Sequence, residues 1–114
     1  MDLNLIQKNL FKLIPQATDV IDDKFDFKKN IAIELQVGNS ISDEIVNNDI
    51  SLQIRIVGLK KRKIDIQNRA EELDKILNET EMENSWIVRN YDYYSSYYDE
   101  DKFNAVLQYT IKEY

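Results

Sequence analysis

The stretch Asp49-Ile50-Ser51-Leu52-Gln53-Ile54-Arg55-Ile56-Val57 decides how this chain is read. Ile50, Leu52, Ile54 and Ile56 alternate with Ser51, Gln53 and Arg55, the period of a strand with one face in a core and the other among polar groups. Gly58 breaks the alternation, and a basic run follows at Lys60, Lys61, Arg62 and Lys63. Four consecutive cations suit a phosphate or an acidic partner, but such runs are mostly solvated, and a solvated turn is the expectation.

Toward the C-terminus the period changes from 2 to 3.6. Ile66, Ala70, Leu73, Ile76 and Leu77 form the apolar stripe of a helix over Lys63 to Glu79, with Asp65, Asn68, Glu71, Glu72, Asp74 and Lys75 on the remaining surface. Glu71 precedes Lys75 by four residues, the favourable order for a helical ion pair. Small Ala70 lets that helix approach a sheet closely. Ser85 to Tyr93 is rich in strand formers. Phe103, Ala105, Leu107, Tyr109 and Ile111 then alternate with Asn104, Val106, Gln108, Thr110 and Lys112. The residues between, Tyr94 to Asp101, predict a wide hairpin.

Toward the N-terminus, Ile31, Ile33, Leu35 and Val37 mark another half-buried strand, ended by the turn residues Gly38-Asn39-Ser40. Residues 39–48 form a polar connection, long for a hairpin, that carries the apolar pair Ile45-Val46. That pair either tucks onto the body or docks on a partner. Residues 16–30 read as a connector with a short extended piece, embedding Val20, Ile21, Phe25 and Phe27. Leu3 to Ile14 reads as a helix with Leu3, Ile6, Leu10, Leu13 and Ile14 on its stripe, stopped by Pro15. Leu5 and Phe11 fall off that stripe. A broad buried face is the simpler account; a contact with a neighbouring subunit is the sharper one.

The order helix, strand, strand, helix, strand, strand predicts one α+β domain over residues 1–114. Its expected form is a two-layer sandwich: a mixed, mostly antiparallel four-stranded sheet with both helices on one face. If the strands flanking the second helix are parallel, that crossover is right-handed. The far face of the sheet would carry Ser51, Gln53, Arg55, Gln108, Thr110 and Lys112.

Composition narrows the function. The 114 residues include 15 Lys and Arg against 21 Asp and Glu, a net charge of −6, with no His and no Cys. Those absences exclude a His/Cys metal site, a Ser-His-Asp or Cys-His catalytic arrangement, and disulfides. Gly38 and Gly58 stand too far apart for a glycine-rich phosphate loop. The acidic balance disfavours general nucleic-acid binding, which draws its affinity from cations facing phosphates. No apolar run approaches the roughly 20 residues of a membrane helix, and the N-terminus lacks the basic start and unbroken apolar stretch of a signal peptide. The carboxylate pairs Asp22-Asp23 and Asp99-Glu100 have the chemistry to bind Mg²⁺, but adjacent acids on loops are far more often solvated surface. No catalytic, cofactor-binding or metal-ligating residue is predicted, and the chain reads as an interaction protein rather than an enzyme.

Five of the seven tyrosines lie between Tyr91 and Tyr98. Tyrosine forms strands readily, so a stacked sheet face is the plain explanation. Yet neighbours on a strand point to opposite faces, so one core cannot hide both members of Tyr93-Tyr94 and Tyr97-Tyr98. Tyrosine is enriched at protein interfaces. Tyr93, Tyr94, Tyr97 and Tyr98, with Ile45 and Val46, are therefore the candidate interface residues.

The strand from Asp49 to Val57, a short break, and a helix carrying Ala70, Ile76 and Leu77 together resemble the tail-terminator (minor capsid or tail-completion) proteins of tailed bacteriophages. An N-terminal helix ahead and two C-terminal strands with an acidic hairpin behind extend the likeness over most of the chain. The tyrosine-dense hairpin is not part of that family's pattern. The resemblance implies a structural virion protein, assembled in the host cytoplasm, whose copies form a hexameric ring. Such a ring caps the tail tube, ends its polymerisation and offers a joining surface to the head connector. Its partners would be other copies of itself, the tail tube protein and the connector or neck protein, with DNA only as cargo through a lumen and no membrane. Two alternatives stand beside it: a head-completion or neck adaptor protein of the same virion, and a small acidic protein-binding module.

Overall fold

A computed structural model describes residues 3–38, 49–82 and 85–113. The described residues form α1 (Leu3–Leu13), β1 (Ala17–Thr18), β2 (Ala32–Val37), β3 (Ile50–Leu59), α2 (Lys63–Leu77), β4 (Glu81–Met82), β5 (Ser85–Asp99) and β6 (Lys102–Glu113). The sheet order is β1-β2-β3-β6-β5-β4, with β1 parallel to β2 and every other neighbouring pair antiparallel.

This corrects the expected architecture. The sheet is a six-stranded, mixed, curled half-barrel, not a four-stranded antiparallel layer backed by two helices. The extra strands have two residues each and sit at the borders, where no period-2 pattern is long enough to announce them. The helices also differ in role. α2 lies across the central strands, burying Ile66, Ala70, Leu73 and Leu77. α1 enters the same core through Ile6, Leu10 and Ile14, and its Leu3 approaches Gly38 at the end of β2.

Alternation in the central strands arises as the sequence dictates. Ile33 faces Ile56, Leu35 faces Ile54, and Ile54 faces Leu107 across β2, β3 and β6, so one register puts these apolar side chains into one core. β6 lies between β3 and β5, so the chain leaving β3 crosses through α2 and returns parallel to β3, one strand removed.

Gly58 does not end β3; the strand runs through it to Leu59. A Cβ at Gly58 would lie 3.0 Å from the Ile66 Cδ1 and 3.3 Å from Ile31, so the glycine lets α2 close onto the strand. The basic run is a solvated turn, with Lys60, Lys61 and Lys63 exposed. Lys60–Arg62 forms a 3₁₀ turn leading into α2, and the Arg62 guanidinium donates to the carbonyls of Lys28 and Lys29. On α2, Ile76 lies off the buried stripe at 42% exposure. On α1, Leu3, Leu5 and Leu13 are exposed while Phe11 rests on the core.

Candidate functional site

β5 and β6 form the longest hairpin of the chain, and their connection is tight rather than wide. Asp99 pairs with Lys102, leaving only Glu100 and Asp101 in the turn. Glu100 has φ 55°, a left-handed conformation that glycine would adopt without steric cost.

The pairing of this hairpin is interrupted once. Arg89 faces Tyr109 and Tyr94 faces Leu107, so Asn90 to Tyr93 stand opposite Gln108 alone. Such a bulge breaks the strict alternation of side chains and re-aims them. Tyr93 is half-buried against the core with the Arg89 guanidinium 4.4 Å from its ring centre. Tyr91 is thrown clear of the body and fully exposed.

Beyond the bulge, alternation resumes. Tyr94 and Tyr98 share the helix-side face, opposite Leu107 and Phe103; Tyr97 turns to the other face, opposite Asn104. Tyr98 stacks on Phe103 at 5.2 Å, with the Lys60 and Lys63 ammonium groups each 5.6 Å from its ring centre. Tyr94, Tyr97 and Tyr98 keep exposures of 38%, 45% and 55%. The four tyrosines singled out in the sequence therefore lie on one strand but on both its faces. Ile45 and Val46 lie outside the described residues.

Sequence reasoning missed Tyr91, which falls inside the bulge, and a polar cluster beneath it. Asp74 is buried at 5% exposure. Its Oδ1 accepts from the Tyr109 hydroxyl at 2.7 Å and from Arg89 Nε at 3.1 Å, and its Oδ2 accepts from the other arm of Arg89. Burial pushes the Asp74 carboxyl up, but the hydrogen bonds from Arg89 and Tyr109 outweigh it and hold the group below the usual carboxylate range. Burial, and then the adjoining carboxylate, push the Tyr109 phenol far up, so it stays a donor. A signal for this cluster was present: Asp74 is four residues after Ala70 and three before Leu77, on the stripe that α2 buries. Beside the cluster, a cleft of about 520 Å³ runs between α2 and β5, floored by Ala70 and Leu107 and walled by Tyr93 and Tyr94.

The opposite sheet face is polar, as expected, and built of amides more than charges. Gln36, Gln53 and Gln108 stand in register across three strands and line a cleft of about 250 Å³ with Ser51 and Asn90. The Thr110 hydroxyl donates to Asn90 at 2.6 Å. In the neighbouring rows the Arg55 guanidinium meets Glu34 at 3.2 and 3.4 Å and Asn104 at 3.2 Å, so this face neutralises its own charge.

The carboxylates Asp22, Asp23 and Asp99 line a cleft of about 260 Å³, but Arg55 and Lys102 line it too. The Asp22 carboxylate also accepts the Lys24 backbone N–H. Among the described residues, no group of three or more acidic side chains is placed to hold a metal ion. No protein-family model matches this chain, and no curated protein matches it.

Proposed function

We propose that this chain is a structural assembly subunit of the tail-terminator type, whose copies form a ring that caps a phage tail tube and joins it to the head connector. The observation that carries this reading is the exposure of Tyr91, Tyr94, Tyr97 and Tyr98 along one projecting strand. Large aromatic groups with polar tips supply contact area at low ordering cost and are enriched where proteins meet. A ring needs two unlike patches per subunit, one meeting the other on the next copy. The hairpin supplies one; residues 39–48 are the sequence's candidate for the other.

No reaction is catalysed in this reading. The amide-rich sheet face and the net charge of −6 suit a lumen through which DNA slides without being gripped.

Native mass spectrometry across a concentration series, with and without purified tail tubes, tests the proposal. A hexamer, or ring formation that appears only on tube ends, is expected. A chain that stays monomeric and fails to bind tubes overturns it. Rings that bind the connector but never the tube would replace it with the neck-adaptor reading.

A further inference from the structure

Among the described residues, the outer border of β5 is covered for only a short distance. β4 pairs with Ser85 and Trp86, and the backbones of Glu79 and Thr80 take both hydrogen bonds of Ile87. From Arg89 to Asp99 no described residue pairs with that border. Open borders of this length template the addition of another strand. We infer that this border pairs antiparallel with the same border of a second copy of the chain, about a two-fold axis at Ser96.

The hairpin turn fixes which groups point outward. In a two-residue hairpin the flanking residues, here Asp99 and Lys102, hydrogen-bond each other. Alternation then turns the N–H and C=O of Tyr98, Ser96 and Tyr94 away from β6 and toward a newcomer. Setting Ser96 opposite itself pairs Tyr94 to Tyr98, all but the last residue of β5 beyond the bulge. Tyr94 then meets the partner's Tyr98 on the helix-side face, and Ser95 meets the partner's Tyr97 on the other. Ser95 and Ser96 are exposed and small, so they leave room where the two strands cross the axis.

The small pair Ser95-Ser96 at the axis makes the border self-complementary, and charge sets the direction of the pairing. The acidic tip Asp99-Glu100-Asp101 would face its twin in a parallel pairing. In the antiparallel one the two tips lie at opposite ends, and Asp99 stands opposite the partner's Tyr93. About five residues a side bury well under the roughly 1,600 Å² of a standard stable interface, so the dimer is weak and concentration-dependent. A two-fold pairing also consumes both open borders at once, so it closes at two copies instead of growing into a filament. The inference does not depend on the ring reading, and it places Tyr94 and Tyr98 in a like-with-like contact instead of in a ring seam.

The chain has no cysteine, so Ser96→Cys introduces a single thiol. A hydrogen-bonded antiparallel pair sets Cα atoms about 5.5 Å apart, the span of a disulfide. Under mild oxidation Ser96→Cys is expected to give a reductant-sensitive covalent dimer. Val20→Cys, 70% exposed on the connector after β1, should give at least tenfold less. In sedimentation equilibrium the unmodified chain should dimerise with rising concentration, and Tyr94→Lys, with folding checked by circular dichroism, should lower the association constant at least tenfold. Equal cross-linking at both thiols, a chain monomeric at millimolar concentration, or hexamers that never cross-link at position 96 would each overturn the inference. A dimer that cross-links but ignores tail tubes would leave it standing and remove the ring reading instead.

Discussion

Asp74 is the residue on which the helix and the hairpin depend together. A buried carboxylate is costly unless its oxygens are hydrogen-bonded, and here Tyr109 and Arg89 supply the donors. Tyr109→Phe removes one of them without opening a cavity and should cost about 1.5–3 kcal/mol, read as a lower urea midpoint. The carboxyl lies lower in the folded chain than the ordinary unfolded value near 3.9. Its contribution is therefore present above that value and is lost as pH falls through the folded one. Urea midpoints should drop between pH 7 and pH 3 in the native chain, and by less in Asp74→Asn; equal drops would show that other acids dominate. Two exposed residues bear strain of a different kind. Glu79, just past the end of α2, has φ 64° and Glu100 has φ 55°. Both positions favour glycine, and Glu79→Gly and Glu100→Gly should each stabilise by roughly 0.5–1 kcal/mol in thermal melts.

At the scale of elements, β3, β6 and α2 were legible in the sequence because each carries a long period, although β3 runs on through Gly58 and Asp74, not Ile76, lies on the buried stripe of α2. β5 was read only as far as Tyr93. Its four-residue bulge destroys the alternation, and the tyrosines that follow look like a loop mouth when in fact they continue the strand to Asp99. Gly58 was read as a breaker because glycine is costly inside strands; the close approach of Ile66 that explains it belongs to tertiary structure. Gly58→Ala should accordingly destabilise by about 1–3 kcal/mol through overpacking against α2, and Ile66→Val in the same chain should recover part of the loss. The hairpin tyrosines divide by what they touch. Tyr98→Ser gives up the Phe103 ring and should lower stability by about 1 kcal/mol, whereas Tyr91 is fully exposed among the described residues, and Tyr91→Ser should leave the melting temperature unchanged while weakening assembly. The candidate surface was thus visible as a composition, but which tyrosines are free and which hold the fold together was not, since that depends on where the bulge falls.

Over the whole molecule, the hairpin sets the shape. The long dimension of 42 Å, against 26 and 25 Å across, is close to what a strand of β5's length spans. A chain without histidine or cysteine holds that extended form with one curled sheet, one shared core and side-chain clusters that neutralise themselves. The open border of β5 has one more consequence, which concerns time rather than shape. Amides facing β6 are locked in the ladder, whereas those of Tyr94, Ser96 and Tyr98 face outward. Hydrogen exchange in the free chain should therefore be fast and slow at alternating residues from Tyr94 to Tyr98, within a single strand. Any strand laid on that border would slow the fast set and leave the slow set as it was.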